Sequence, residues 1–362
     1  MKHLVLLGGG HAHVHVLRDF AREPLPGSRI TLVSPFAEFV YSGMAPGVVA
    51  GHYEAADCAI ALAPLAARAG AGFTAQAATH IDALARRVTL TGGSVLPFDV
   101  LSIDTGAVMN RDAIPGAREH ALFVRPIEHF MELLQALLDL ARSRMLSIVV
   151  VGAGAAGVEL ALALQYRLGE RARLSLVSGG EPPLPGHSPG VRTRALRALK
   201  RAGVTLFEDV CREIAAGHVV LGSGARLACD APLLAIGVSA PTWLALSGLA
   251  RDEQGFVATT ATLQSRSHAH VFAVGDVASR EDAPRERNGV YAVRSGPPLA
   301  LNLRRVMAGG ALQPHAPQHR ALALLACGER RAIASWGPWS AEGRWVWWWK
   351  DRIDRAFVAR YR

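Results

Sequence analysis

Two stretches of this chain, 144 positions apart, share one pattern: an apolar run of strand length, a cluster of glycines and a helix-forming stretch that follows at once. The first is His3-Leu4-Val5-Leu6-Leu7-Gly8-Gly9-Gly10-His11-Ala12-His13-Val14. The second is Ile148-Val149-Val150-Val151-Gly152-Ala153-Gly154-Ala155-Ala156-Gly157-Val158-Glu159. A glycine at the strand end allows a tight turn, and the next lets backbone approach a pyrophosphate. The amides of the new helix then face that anion with the positive end of their dipole. One such turn is a weak signal, because glycines often end strands. Two with the same sequel are strong: apolar runs at 30–33 and 174–177 end in Ser34 and Ser178, which stand 24 positions after Gly10 and Gly154. The expected fold class is α/β, with two Rossmann-like dinucleotide-binding units.

The two copies differ where the fingerprint is most exacting. Gly157 keeps the third glycine, which permits close packing of helix on strand, whereas His13 replaces it in the first copy, so looser or rearranged packing is expected there. Ser34 and Ser178 stand where an acid usually binds a ribose hydroxyl, and serine offers only a neutral partner.

Elsewhere, apolar periodicity predicts helices over 14–21, 59–69, 126–142 and 190–202. Short strands at hairpin spacing are expected at 73–78, 81–82 and 87–91, with further strands at 204–207, 218–221, 231–237, 321–326 and 331–335. Two more apolar strands end in polar turns, one at Asp104-Thr105-Gly106 and one at Gly275-Asp276.

With 50% hydrophobic and 19% charged residues the chain is globular, and at 362 residues it accommodates two or three cores. No apolar run reaches the 18 or so residues of a spanning helix, and the N-terminus lacks the layout of a secretory signal, so a cytoplasmic protein is expected, with peripheral contact on the inner face of the cell membrane left open. The net charge of +9 is scattered and accompanies no nucleic-acid motif, so no nucleic acid is expected as partner. Cys58, Cys211, Cys229 and Cys327 form no CxxC or CxxxxC pair and read as reduced thiols. His11, His13 and His15 resemble a metal cluster, but only His11 and His15 share a helix face and no carboxylate or Cys joins them, so no metal is assigned.

The glycine turns, the Thr-Gly strand and the Gly-Asp strand together resemble the two-dinucleotide-binding flavoprotein superfamily, with the fold of glutathione reductase. Within it the chain resembles type II NADH dehydrogenases, and most closely the flavoprotein family often fused ahead of selenide, water dikinase. Tyr41-Ser42-Gly43-Met44, Gly289-Val290-Tyr291-Ala292-Val293-Arg294, Asn302-Leu303-Arg304 and Trp349-Lys350-Asp351-Arg352-Ile353-Asp354-Arg355 carry that last likeness. It covers essentially the whole chain, without the kinase.

The resemblance implies FAD in the first unit and NADH or NADPH in the second. It places Gly8, Gly10 and the amides of His11 and Ala12 at the FAD pyrophosphate, Ser34 by the adenosine ribose, and Thr105 and Gly106 along the flavin nucleotide. Gly275 and Asp276 fall at the ribitol, and a role for Asp276 as the cap of a following helix is compatible with that contact. Gly152, Gly154, Gly157 and Ser178 would hold NAD(P)H. Glu159 would lie near the nicotinamide–flavin contact as the catalytic candidate, its rival role being to stabilise a helix N-terminus. Glu181 can take the place of the missing acid and would repel a 2′-phosphate. The implied domains are an FAD-binding domain from 1–110 and 250–315, an NAD(P)H-binding domain over 111–249, and C-terminal strands with a Trp-rich amphipathic helix over 316–362.

Hydride transfer to a flavin asks little of side chains. With no CxxxxC beside the flavin loop, the resemblance points to a quinone-like or other small acceptor. Oxidation of a sulfide or selenium species, and a docking role toward selenide, water dikinase or a membrane, are the alternatives. Trp345, Trp349, Ile353 and Phe357 would form one i,i+4 row facing either lipid or the chain's own core. A homodimer is left open.

Overall fold

Each glycine-turn strand lies at the centre of its own parallel sheet. The computed structural model, which describes residues 1–362, places the strands Val271–Ala273, Val100–Ile103, Lys2–Leu7, Ser28–Val33 and Gly72–Thr74 side by side in that order. A second five-stranded sheet runs Leu122–Phe123, Ala231–Leu234, Leu146–Val151, Ala172–Val177 and Thr205–Phe207. The repetition extends to register. Lys2 pairs with Ser28 and Leu146 with Ala172, the same spacing in both copies, and Gly8 N and Gly152 N each donate to the closing residue of the next strand at 2.8 Å. A three-stranded antiparallel sheet accompanies each half, Ala78–Asp82 with Arg87–Leu90 and Val95–Pro97, and Cys211–Ala215 with His218–Leu221 and Arg226–Ala228.

The helix after the first turn is His11–Arg22 and that after the second is Ala155–Leu168. They are buried differently. The first turns Val14, Val16, Leu17 and Phe20 into a core with Leu4 and Leu6, while the second is buried on nearly every side. It lies between the second sheet and a C-terminal antiparallel sheet of Ala323–Ala326, Ala332–Trp336 and Trp339–Gly343. The last helix, Arg344–Tyr361, joins the first core through Val346, Trp347, Phe357, Val358 and Tyr361, each of which removes a large apolar surface from water, worth about 1.5–3 kcal/mol for a fully buried side chain.

Two local expectations are corrected, and one helix appears that the sequence pattern left unread. The helix expected over 59–69 begins as a strand, Ala59–Ala61, paired with Glu38–Val40, and becomes helical only at Leu62–Arg68. The long helix Gly289–Ala308 was hidden in the sequence by Pro297 and Pro298; Pro297 stands on its exposed side, where carbonyls left without a donor reach water. It is capped by Asn288, whose Oδ1 accepts from Val290 N and Tyr291 N, and not by Asp276, which sits in the short turn Gly275–Val277.

Candidate active site

A cavity of about 390 Å³ opens where the ends of the first sheet meet the helix Ala155–Leu168. It gathers Gly8, Gly10, His11 and Ser34 from the first unit, Thr105 and Gly106 from the strand that follows, Asp276, and Glu159 from the second unit. Eight of the positions singled out in the sequence therefore line one space. Gly152, Gly154, Gly157 and Ser178 lie apart from it, at the end of the second sheet, and Gly275 faces a neighbouring cavity of about 900 Å³ that shares Asp276 and Ala292 with the first.

The third-glycine position of the first turn is not loosely packed. His13 is fully buried, with Nδ1 2.6 Å from Gly8 O and Nε2 2.8 Å from Ser102 Oγ. A carbonyl can only accept, so Nδ1 carries the proton and Nε2 accepts from the Ser102 hydroxyl. The ring is neutral, and burial holds it well below the ordinary histidine range, at about 4. In the second unit the same place must be empty: a Cβ on Gly157 would fall 1.8 Å from Gly152 O. His15 packs on Tyr361, with Nδ1 3.2 Å from the hydroxyl, and His11 sets its edge against Phe39. The three histidines thus face three separate surroundings.

The amides after the first turn do meet an anion, but it is the chain's own. Asp104 Oδ2 accepts from Ala12 N at 2.8 Å and from His13 N at 3.0 Å. A Cβ on Gly10 would lie 2.5 Å from that oxygen, so Gly10 admits Asp104 before it admits any ligand. Ala12, expected at the pyrophosphate through its amide, has that N–H committed to Asp104. Gly154 in the second unit has nothing within 4 Å of where a Cβ would stand, and its helix end is open.

Asp276 Oδ2 accepts from Arg125 Nη1 at 2.8 Å, an ion pair that ties the first sheet to the segment before the helix Ile127–Ser143, and Oδ1 is left free to accept. Ser34 is buried and its hydroxyl accepts from Phe36 N, so it also caps its strand end. Glu159 does not serve its own helix terminus: Oε1 accepts from Ala326 N at 2.7 Å. Burial raises this carboxyl to about 7 against the pull of Lys350 and the Ala326 amide.

Two of the eight buried polar atoms without a partner lie at these glycine-turn units. His11 Nε2 in the first cavity and Ser178 Oγ at the end of the second sheet are both buried without a partner. The first cavity, with its glycine turn, free carboxylate oxygen and unpartnered ring nitrogen, suits a dinucleotide with a hydroxylated chain. The open amides beyond Gly154 and the Ser178 hydroxyl suit a second.

Sequence reasoning missed Asp104, Arg125 and the buried pair Lys350–Asp354. Lys350 Nζ binds Asp354 Oδ2 at 2.7 Å and Gly43 O, joining the last helix to the loop that forms the cavity floor; their i,i+4 spacing was the available signal. Tyr41 stacks on Phe357, ring centroids 4.2 Å apart. Phe357 is therefore buried, and the expected row of four splits: Trp345, Trp349 and Ile353 are exposed, joined by Trp348.

Comparison with known proteins gives a consistent result. The pattern of the pyridine nucleotide-disulphide oxidoreductase family matches residues 2–301. Among curated proteins, the demethylphylloquinone reductase of Synechocystis sp. is 28% identical over 293 residues, 77% of this chain and 72% of that protein. Among solved structures, the sulfide:quinone oxidoreductase of Aquifex aeolicus has a TM-score of 0.84 at 20% identity, covering 100% of this chain and 92% of the other. NDH2 from Plasmodium falciparum in complex with NADH has a TM-score of 0.81 at 14% identity, covering 99% and 97%.

Proposed function

This chain is a member of the pyridine nucleotide-disulphide oxidoreductase family, and from that membership we propose that it is an FAD-dependent enzyme that takes hydride from NAD(P)H and passes the electrons to a quinone-like acceptor. The observation that carries the reading is the convergence of the first glycine turn, Asp276 and Glu159 on one cavity between two sheets that each end in a dinucleotide turn. Gly8, Gly10 and His11 would hold the FAD pyrophosphate, Ser34 the adenosine ribose, Thr105 and Gly106 the middle of the nucleotide, and Asp276 Oδ1 a ribitol hydroxyl. Gly152, Gly154, Gly157 and Ser178 would take the reduced nicotinamide dinucleotide. Bound flavin accepts the hydride and releases the electrons; the chain's part is to align the two rings and exclude water. Glu159, poised near neutrality at the junction, sets the charge there.

The acceptor is external, because the chain has no cysteine pair beside the cavity. Cys58, Cys229 and Cys327 are buried and separate, and burial pushes the Cys58 thiol up to about 12. A quinone-like acceptor is supported by the demethylphylloquinone reductase among the relatives. NADH is the better reductant: Glu181 stands exposed three residues after Ser178, and no Arg or Lys lies between them to meet a 2′-phosphate.

The test is anaerobic. FAD-loaded protein should lose its flavin band, near about 450 nm, on adding NADH and regain it on adding a short-chain quinone. A flavin that neither NADH nor NADPH reduces would overturn the reading.

The C-terminal helix favours contact with a lipid surface. No helix is long and apolar enough to cross a membrane. Yet Trp345, Trp348, Trp349 and Ile353 are exposed, with Trp336 and Trp339 exposed on the adjoining hairpin. Aromatic rings beside Arg344 and Arg352 match a bilayer interface. Sedimentation with anionic vesicles should be lost in Trp345→Glu/Trp348→Glu; unchanged sedimentation would refute the contact.

A further inference from the structure

The two dinucleotide units provide an internal comparison. Asp104 N donates to Leu7 O and Ala235 N to Val151 O, both at 2.8 Å, so Asp104 and Ala235 hold equivalent places in the two copies. In the second copy a methyl group stands beside an open helix end; in the first a carboxylate occupies it. We propose that Asp104 is the positioning residue of the first site: its carboxylate holds the glycine turn in shape without a ligand, and a pyrophosphate arriving at the same helix end makes it take up a proton, so that FAD binding and protonation are coupled. This rests on the reading of the first unit as the FAD site.

The geometry leaves the carboxyl nowhere to go. One oxygen sits on the Ala12 and His13 amides, while a Cβ on Gly275 would come within 2.8 Å of the other. It is wedged between the glycine turn and the Gly275–Val277 turn, 3% exposed. The groups facing it supply no cation. From the helix His11–Arg22 come two amides; the His13 ring is turned to Gly8 O and Ser102, and the His11 ring is neutral, held down to about 4 by burial. From the Gly275–Val277 turn comes Asp276, a like charge, whose partner Arg125 is already engaged. Its own strand offers Ser102, bonded to His13, and then Thr105. Burial and Asp276 already raise the Asp104 carboxyl to about 7, against the two amides. A pyrophosphate held by Gly8, Gly10 and the His11 amide, beside this carboxyl, adds negative charge in a water-poor cleft, which favours the neutral acid further. Above pH 7 each FAD bound then takes up close to one proton, and affinity falls by up to about tenfold per pH unit. Below pH 7 the acid is neutral in both states and affinity is flat.

The experiment uses the full chain stripped of flavin. FAD is titrated calorimetrically at pH 8 in two buffers of different ionisation enthalpy, with Kd followed from pH 6 to 8.5 by flavin fluorescence. The wild type should take up close to one proton per FAD at pH 8, with Kd rising about tenfold from pH 7.5 to 8.5. Asp104→Asn, which keeps an acceptor oxygen for the amides, should bind with a flat profile and that proton uptake removed. Equal uptake in the two proteins, or none in the wild type, would overturn the proposal. Should Asp104→Asn not fold, the infrared difference spectrum of the wild type decides: FAD added at pH 8 should bring up the C=O stretch of a protonated carboxyl, and its absence overturns the coupling. FAD that binds without proton uptake refutes Asp104 alone; no FAD binding at any pH refutes the FAD reading as well.

Discussion

Replacing His13 by glycine would restore the dinucleotide fingerprint, and it should weaken the protein. The ring is fully buried and makes two hydrogen bonds, to Gly8 O at 2.6 Å and to Ser102 Oγ at 2.8 Å. Neither partner has another side chain to turn to. Leaving a buried polar group unsatisfied costs about 1–3 kcal/mol, so the two together amount to about 2–6 kcal/mol. Glycine inside a helix adds about 1 kcal/mol relative to alanine. His13→Gly and His13→Ala should therefore lower the urea midpoint of the first domain, with faster hydrogen exchange over residues 8–17. The same residue predicts an acid dependence. Its folded pKa of about 4 lies below the ordinary 6.5 of an exposed histidine. The unfolded chain therefore binds the extra proton first, and stability falls as pH drops from 6.5 toward 4, by about 3 kcal/mol when complete. That part of the acid dependence should vanish in both variants. A His13→Gly protein within about 0.5 kcal/mol of the wild type at pH 7.5 would show that the ring only fills space, and the hydrogen-bonding argument would fail.

Gly157→Ala should fail to fold or lose the second dinucleotide site, since its Cβ would meet Gly152 O at 1.8 Å, whereas Gly154→Ala, with nothing within 4 Å, should fold normally and raise the KM for NADH selectively. Thermal denaturation beside steady-state kinetics separates the two. Lys350→Met leaves Asp354 buried without its partner and should cost about 3–5 kcal/mol, while Lys350→Met/Asp354→Leu should recover most of the loss; a double variant no better than the single one would refute the pairing. The rate of flavin reduction by NADH should change between pH 6 and 8, as the Glu159 carboxyl raised to about 7 ionises, and stopped-flow traces of Glu159→Gln should be flat across that range.

Local pattern was enough to read the two turns and their strands, because a buried parallel strand ending in glycine leaves a signature in a dozen consecutive residues. The expected 30–33 and 174–177 runs are the strands Ser28–Val33 and Ala172–Val177, and the 126–142 helix is Ile127–Ser143. The helix Gly289–Ala308 escaped because two prolines contradict local propensity, and only packing against the helix His11–Arg22 overrides them. The Trp-rich helix was legible as amphipathic, but which face it buries was not. The buried pair Lys350–Asp354 and the stacking of Phe357 on Tyr41 turn Trp345, Trp349 and Ile353 outward.

The amino-acid sequence by itself determined that the chain forms two dinucleotide-binding units and which glycines shape them, since the backbone conformation of a tight turn is a property of a few neighbouring residues. Only the tertiary structure decided what those turns meet. Asp104 and His13 lie 91 positions apart, and although His13 breaks the glycine fingerprint, nothing in either stretch names the other as its neighbour. The pairing of Leu4 with Val100 and of Leu6 with Ser102 sets His13 over Ser102 and brings Asp104 onto the helix amides. A contact made across neighbouring strands depends on register, which the whole core fixes, and so it leaves no periodicity in the sequence to read.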